Sequence, residues 1–360
     1  MPSFRTGRVL AVLDERPGLQ RVEVALGEGA KSRAYALTDQ VGPVEVGDDV
    51  VLNTTAIELG LGTGGWHVVH WNLARSEWRV EGPGHVMKAR YTSVQSDTGA
   101  AEELHAGTLS DADDLDGLPV VVCGLHSQVP CVAAALRAAD PDLRVAYVMT
   151  DGAGLPMALS ELVPAMEKAG LVRGTVTAGQ AFGGDHEAVN VPSAMVVAKH
   201  LHGADVVIVS MGPGVVGTAT RLGFSALEVG PTLDAVEWLG GRPVACVRFS
   251  LADPRLRHQG VSHHTRTALG LATRARATIG VPRGDYDTRV REDLEAAGLA
   301  ERHRLLAVDD PDIPSLLSRV GLRVTSMGRG PRDDPGFYAV AGAAGTAAAT
   351  MARAEPDHRR

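Results

Sequence analysis

The chain has 360 residues, 44% apolar and 22% charged, with a formal net charge of -8 and four lysines among 35 basic residues. That length is enough for two domains with a large core. An acidic balance without a basic tract argues against a nucleic-acid or membrane-surface binder. Three cysteines, Cys123, Cys131 and Cys246, form no C-x-x-C pair and fit a reduced, cytoplasmic compartment. The N-terminal apolar run is cut by Asp14, Glu15 and Arg16, so it does not read as a signal peptide. No apolar run approaches the ~20 residues that span a bilayer.

In chain order, residues 1–92 read as a small antiparallel β-barrel or sandwich. Its strands are GRVLAVLD, QRVEVAL, SRAYAL, DDVVLN and WHVVHW, separated by glycine-rich turns such as LGLGTGG. Trp66, Trp71 and Trp78 are expected in its core. Residues 93–118 are polar and acidic and read as a linker or loop, with the run from Asp111 to Asp116 a solvated surface. From 119 to 354 strands and helices alternate, and 355–360 read as a disordered tail.

Strands are expected at PVVVCGL, LRVAYVM, LVRGTVTA, ADVVIVS, PVACVRF, RATIGVP, RLLAV and LRVTSM, with amphipathic helices after most of them. Unbroken apolar strands between helices predict an open, mostly parallel sheet with helices on both faces. A short echo, SMGPG at 210–214 and SMGRG at 326–330, predicts two similar turns at strand ends.

In a parallel sheet every strand's carboxyl end meets one edge, where ligands bind. The residues expected there include His126 and Asp151, then Asp185 and His186. Beyond them come Ser210 with its glycines, and the segment ADPRLRHQGVSHHT. His126, Asp151 and His263 are candidate acid–base groups. Asp185, His258 and His264 are candidate ligands for a divalent metal such as Zn²⁺, Fe²⁺ or Mn²⁺. Each also fits a capping or loop-knitting role, Asp185 as an N-cap and Ser262 as the cap of the helix after it.

Ser210, Gly212, Gly214 and Gly217 form the candidate cofactor seat, with G-x-G-x-x-G spacing after a buried strand. Pro213 removes an N–H that a pyrophosphate would need, and no acid closes the next strand. The spacing therefore points to a backbone anion seat or a tight turn before it points to a dinucleotide. His200 and His202, two apart in a helix, read as structural. No G-x-S-x-G nucleophile elbow is present.

Taken as a set, LNTTAIELGLGTGGWH, VVCGLHSQVP, YVMTDGAGLPMA, GQAFGGDHEAVN, SMGPGVVGTATRLGFSALE and RHQGVSHHT cover nearly the whole chain. This set resembles an uncharacterised bacterial family, mainly actinobacterial, defined by a domain of unknown function. The resemblance implies a cytosolic bacterial protein and carries no activity or residue role.

The expected function is that of an enzyme or binder for a small anionic or phosphorylated metabolite. Acid–base or metal-assisted chemistry would act at the sheet edge, with no nucleic-acid or membrane partner and with room for a homo-oligomer. A nicotinamide-dependent oxidoreductase and a non-enzymatic ligand-binding or assembly protein are the alternatives.

Overall fold

The structure is a computed structural model that describes residues 2–27, 29–61 and 64–354. Gly62 and Thr63 of the LGLGTGG turn, and the expected tail at 355–360, lie outside the described residues. The chain divides into two compact units, residues 1–99 and 100–360.

The first unit is a closed barrel of five strands: β1 (Phe4–Arg16), β2 (Leu19–Leu26), β3 (Ala30–Ala36), β4 (Asp49–Asn53) and β5 (Trp66–Asn72). Their order around the barrel is β1-β2-β3-β5-β4. Four of the pairings are antiparallel, but β3 and β5 run parallel, with Arg33 opposite Trp66. The interior holds small aliphatic side chains, among them Val9, Val22, Val24, Ala34, Val50, Leu52 and Val69. So narrow a barrel has no room for an indole, which corrects the expectation for the tryptophans. Trp66 lies under the guanidinium groups of Arg33 and Arg21, at 4.7 and 5.3 Å, and Trp78 is 37% exposed.

The second unit is built on eight parallel strands: β6 (Pro119–Cys123), β7 (Val145–Thr150), β8 (Gly174–Ala178), β9 (His186–Ala188), β10 (Val206–Met211), β11 (Arg242–Cys246), β12 (Thr278–Pro282) and β13 (Arg304–Val308). Their order is β9-β8-β7-β10-β6-β11-β12-β13, an open sheet. The apolar runs are unbroken because alternate residues serve opposite faces. Val120, Val122, Val207 and Val209 pack on α3 (Val191–Leu201), α4 (Val229–Trp238) and α6 (Asp287–Ala296). Val121, Cys123, Val206 and Ile208 pack on α1 (Val129–Ala139), α2 (Leu162–Lys168), α7 (Ile313–Arg319) and α8 (Pro335–Arg353). α5 (His263–Thr267) is short and continues as a π-helical turn to Ala272. No helix among the described residues is long and apolar enough to cross a membrane.

Three expectations are corrected. LRVTSM forms no sheet strand; Ser326 bridges Arg329 across a tight turn with Met327 and Gly328 at φ 52° and 78°. The two SMG echoes are therefore different structures, one a strand end and one a free-standing turn. Residues 100–118, expected as linker, belong to the second unit, where Leu109 and Leu115 join the core. Asp185 caps no helix: it precedes β9, and the cap of α3 is Asn190, whose side chain accepts from the Ser193 N–H.

The close packing of α8 on α1 rests on small residues. A Cβ added at Gly345 would run into the carbonyl of Val132 and the Cβ of Ala135. In an open helix, Gly→Ala stabilises by roughly 0.5–1 kcal/mol, whereas overpacking costs about 1–3 kcal/mol. Contact should win: Gly345→Ala is expected to lower the urea midpoint, and a raised midpoint would refute this packing.

Candidate functional site

Beyond β11 the chain passes through Val247 and Arg248 into a short antiparallel ribbon, Phe249–Ser250 against Gly260–Val261. Ser262 then caps α5, accepting the His264 N–H at 3.2 Å, as its position in the sequence suggested. The same Ser262 hydroxyl lies 2.7 Å from His258 Nδ1, so one serine fixes both the helix start and a histidine ring.

His258, His263 and His264 thereby converge, with one ring nitrogen from each lying within 4.8 Å of the others. Ring centroids are 4.4–4.9 Å apart. Phe224 stacks on His264 at 4.0 Å with the planes 2° from parallel, and its edge meets His263. His258 and His264 are buried, and His263 Nε2 is buried without a hydrogen-bond partner.

Around the imidazoles stand guanidinium groups organised by Asp253, whose side chain has no exposed surface. Arg255 grips both carboxylate oxygens at 2.9 Å, Arg329 reaches one at 3.2 Å, and Arg248 lies 3.7 Å away. Arg329 also pairs with Asp334, which takes the Ser250 hydroxyl at 2.6 Å. The Arg255 bonds hold the Asp253 carboxyl well below the usual carboxylate range. Burial, and then the neighbouring Arg255, lowers Arg248 to about 10. Burial, then Arg248, lowers His258 and His264 to about 3; burial, then Arg257, lowers His263. All three imidazoles are neutral near pH 7.

Arg248 Nη1 lies 3.3 Å from His264 Nδ1. A guanidinium can only donate, so Nδ1 carries the lone pair and Nε2 the proton.

The remaining candidates lie elsewhere. His126 is buried with both nitrogens engaged, Nε2 with Ser160 Oγ at 2.7 Å and Nδ1 with Tyr147 Oη at 3.2 Å. Burial lowers it to about 4, and its bonds tie the ends of β6 and β7 together. Asp151 is exposed at the end of β7 and accepts the Gln180 N–H at 2.9 Å, joining the β7 and β8 loops. Asp185 does not join His258 and His264. The chain doubles back after β8, so Asp185 bonds Thr175 near the amino end of that strand, on the far side of the sheet from β11.

The glycine loop also departs from its pattern. It leads into a hairpin bridged at Gly217 and Phe224 rather than into a helix. Gly212 lets the loop approach Gly154, whose carbonyl lies 2.6 Å from where a Cβ would stand, and Gly214 has φ 102°. Gly217 faces the His264 imidazole, 3.4 Å from its would-be Cβ. Ser210 is buried, its hydroxyl unpaired, below the sheet edge.

Sequence reasoning passed over Arg248, Arg255, Arg329 and Glu228. The available signal was a charged residue closing an apolar strand, as Arg248 closes PVACV. Glu228 reaches over the end of β7, where Thr150 Oγ1 donates to it at 2.6 Å and Gly152 leaves it room. Burial raises its carboxyl to about 7; the Thr150 bond opposes the shift and the charge of Asp151 adds to it.

The histidine cluster sits where the sheet changes direction. The connection from β6 crosses β10 to reach β7, and that from β10 crosses β6 to reach β11. Their loops part over the carboxyl edge, the usual crevice for ligands in such sheets. A cavity of about 20 Å³ opens there, lined by Gly124, Ala226, Val229, Cys246, Arg248 and His264. It has room for one water.

Fold and cluster together define a two-unit protein, a five-stranded barrel and a parallel α/β unit with a histidine–arginine centre at the carboxyl edge of its sheet. The chain belongs to the family described as Protein of unknown function (DUF3866), matched over residues 33–345. No curated protein and no solved structure matches it.

Glu228 gives the edge a pH signature. Its folded value of about 7 lies above the ordinary 4.5. Its stabilising contribution is complete below pH 4.5 and is lost as pH rises through 7. Glu228→Gln keeps the Thr150 acceptor and removes the titration. The variant is expected to gain on the natural protein by an order of 2 kcal/mol between pH 5 and pH 8 in urea unfolding. Parallel curves for the two proteins would contradict the assignment.

Proposed function

We propose that the carboxyl edge of the sheet binds a small anionic or phosphorylated metabolite. His258, His263 and His264 would supply acid–base or metal-assisted chemistry to it. The observation that carries this reading is charge. Arg248, Arg255, Arg257 and Arg329 stand around three neutral imidazoles, and among the described residues the carboxylates that pair with them are Asp253 and Asp334, an excess of two positive charges in a chain of net -8.

Arg257 is exposed and has no hydrogen-bond or ion-pair partner among the described residues, yet its charge is felt at Arg248 and His263. A planar guanidinium fork of this kind suits phosphate and carboxylate. The crevice at the direction change of the sheet supplies the place.

Calorimetric titration with inorganic phosphate, pyrophosphate and a panel of small phosphorylated and dicarboxylate metabolites tests the reading. At least one anion is expected to bind, more weakly as salt rises. Arg257→Ser is expected to weaken it about ten- to hundredfold, while Lys31→Gln in the barrel leaves affinity unchanged. Failure of the whole panel, or equal affinity in Arg257→Ser, would overturn the proposal.

A further inference from the structure

We infer that His258, His263 and His264 form a binding site for one borderline divalent transition-metal ion, Zn²⁺ above all, and that Arg248 holds the site's third nitrogen while no ion is bound. Three imidazoles and no carboxylate make a nitrogen-only set, which favours Zn²⁺, Co²⁺, Ni²⁺ or Cu²⁺ over Mg²⁺ or Ca²⁺.

The ligand nitrogens follow by elimination. His258 has Nδ1 against Ser262 Oγ, leaving Nε2. His263 Nε2 is buried without a partner, an arrangement that costs free energy unless something fills it. His264 offers Nδ1, whose lone pair now faces Arg248. Zn–N bonds of about 2.0–2.1 Å place tetrahedral nitrogens about 3.3 Å apart. At present one ring nitrogen from each residue lies within 4.8 Å of the others, so binding requires the three rings to draw closer.

The surroundings also match what a metal-bound imidazole needs. Ser262 Oγ can accept Nδ1–H from His258, the second hydrogen bond that fixes a ligating ring. Phe224 stacks on His264 and holds its plane. Arg248 is the switch. A guanidinium 3.3 Å from Nδ1 cannot stay beside a dication, and Asp253, 3.7 Å from its Nη2, is the anion it can turn to. Three protein ligands leave a fourth position open, the pattern of a reactive centre. Only the identity of that fourth ligand, an anion guided by Arg257, rests on the function proposed above.

The test uses the full chain, purified without a histidine tag and stripped with a chelator. Titration with Co²⁺ is expected to give one equivalent bound, with the intense visible bands of a tetrahedral site, displaced by Zn²⁺. His263→Gln is expected to weaken Co²⁺ binding at least a hundredfold; its ring makes no hydrogen bond to lose, and the urea midpoint checks the fold. Arg248→Met is expected to tighten binding about tenfold, because it removes the competing cation.

Absence of a stoichiometric Co²⁺ site, or unchanged affinity in His263→Gln, overturns the metal inference. Weaker binding in Arg248→Met overturns the role given to Arg248. Phosphate binding without Co²⁺ binding leaves the anion reading standing and removes the metal. A tetrahedral Co²⁺ spectrum that no anion in the panel perturbs does the reverse.

Discussion

A carboxylate with no exposed surface cannot stay ionised in a protein interior without compensation, and Asp253 is compensated three times. Removing a buried charge's partner costs about 3–5 kcal/mol, so the arginines that meet it are structural requirements before they are anything else. Two are local, Arg248 from just beyond a strand and Arg255 from the same loop, while Arg329 comes from the turn before the last helix. Together they pin the 247–264 segment against the sheet edge. Three guanidiniums on one carboxylate also over-neutralise it, and the surplus field joins burial in keeping the histidines unprotonated. Neutral imidazoles and a cationic rim are two consequences of one ion network.

The network would mean little if it were not placed where strands diverge. All eight strands run the same way, so every loop that follows a strand opens on one edge. At β10 and β6 the connections leave in opposite directions and their loops separate, which is why Gly124, Ala226 and His264 can line one cavity. The helices that follow cover both faces and shut water out from below. Position comes from the sheet, and charge comes from Asp253.

Much of this was legible in the sequence. Strands buried on both faces must be apolar at every residue, and seven of the eight sheet strands announce themselves that way; β9, three residues long, does not. LRVTSM carried the same signal and failed, because apolar side chains can pack without a neighbouring strand: Leu322 and Val324 join the core from a turn. Among the site residues, the histidines of RHQGVSHHT stood out as a group, and the cap at Ser262 was readable from local chemistry. His126 and Asp185 looked equivalent to them and are not. Whether a strand-end residue faces the crevice depends on how the loop folds back, and the loop after β8 returns Asp185 to the amino side. The arginines were invisible for another reason: charged residues in a loop give no pattern until burial of Asp253 and the arrival of the remote Arg329 are known.

The glycine loop shows how one spacing can answer to different physics. In a dinucleotide site the glycines serve a helix start and a phosphate. Here each has its own neighbour: Gly212 the carbonyl of Gly154, Gly214 a left-handed backbone, Gly217 the imidazole of His264. The loop thus spans from the end of β7, where Thr150 holds Glu228, to the histidine cluster. A Cβ at 217 would meet the His264 ring at ordinary van der Waals distance, 3.4 Å, so this end of the loop lies directly against the ring on which Phe224 stacks. The loop forms one wall beside the centre, whose histidines and arginines carry the proposed chemistry.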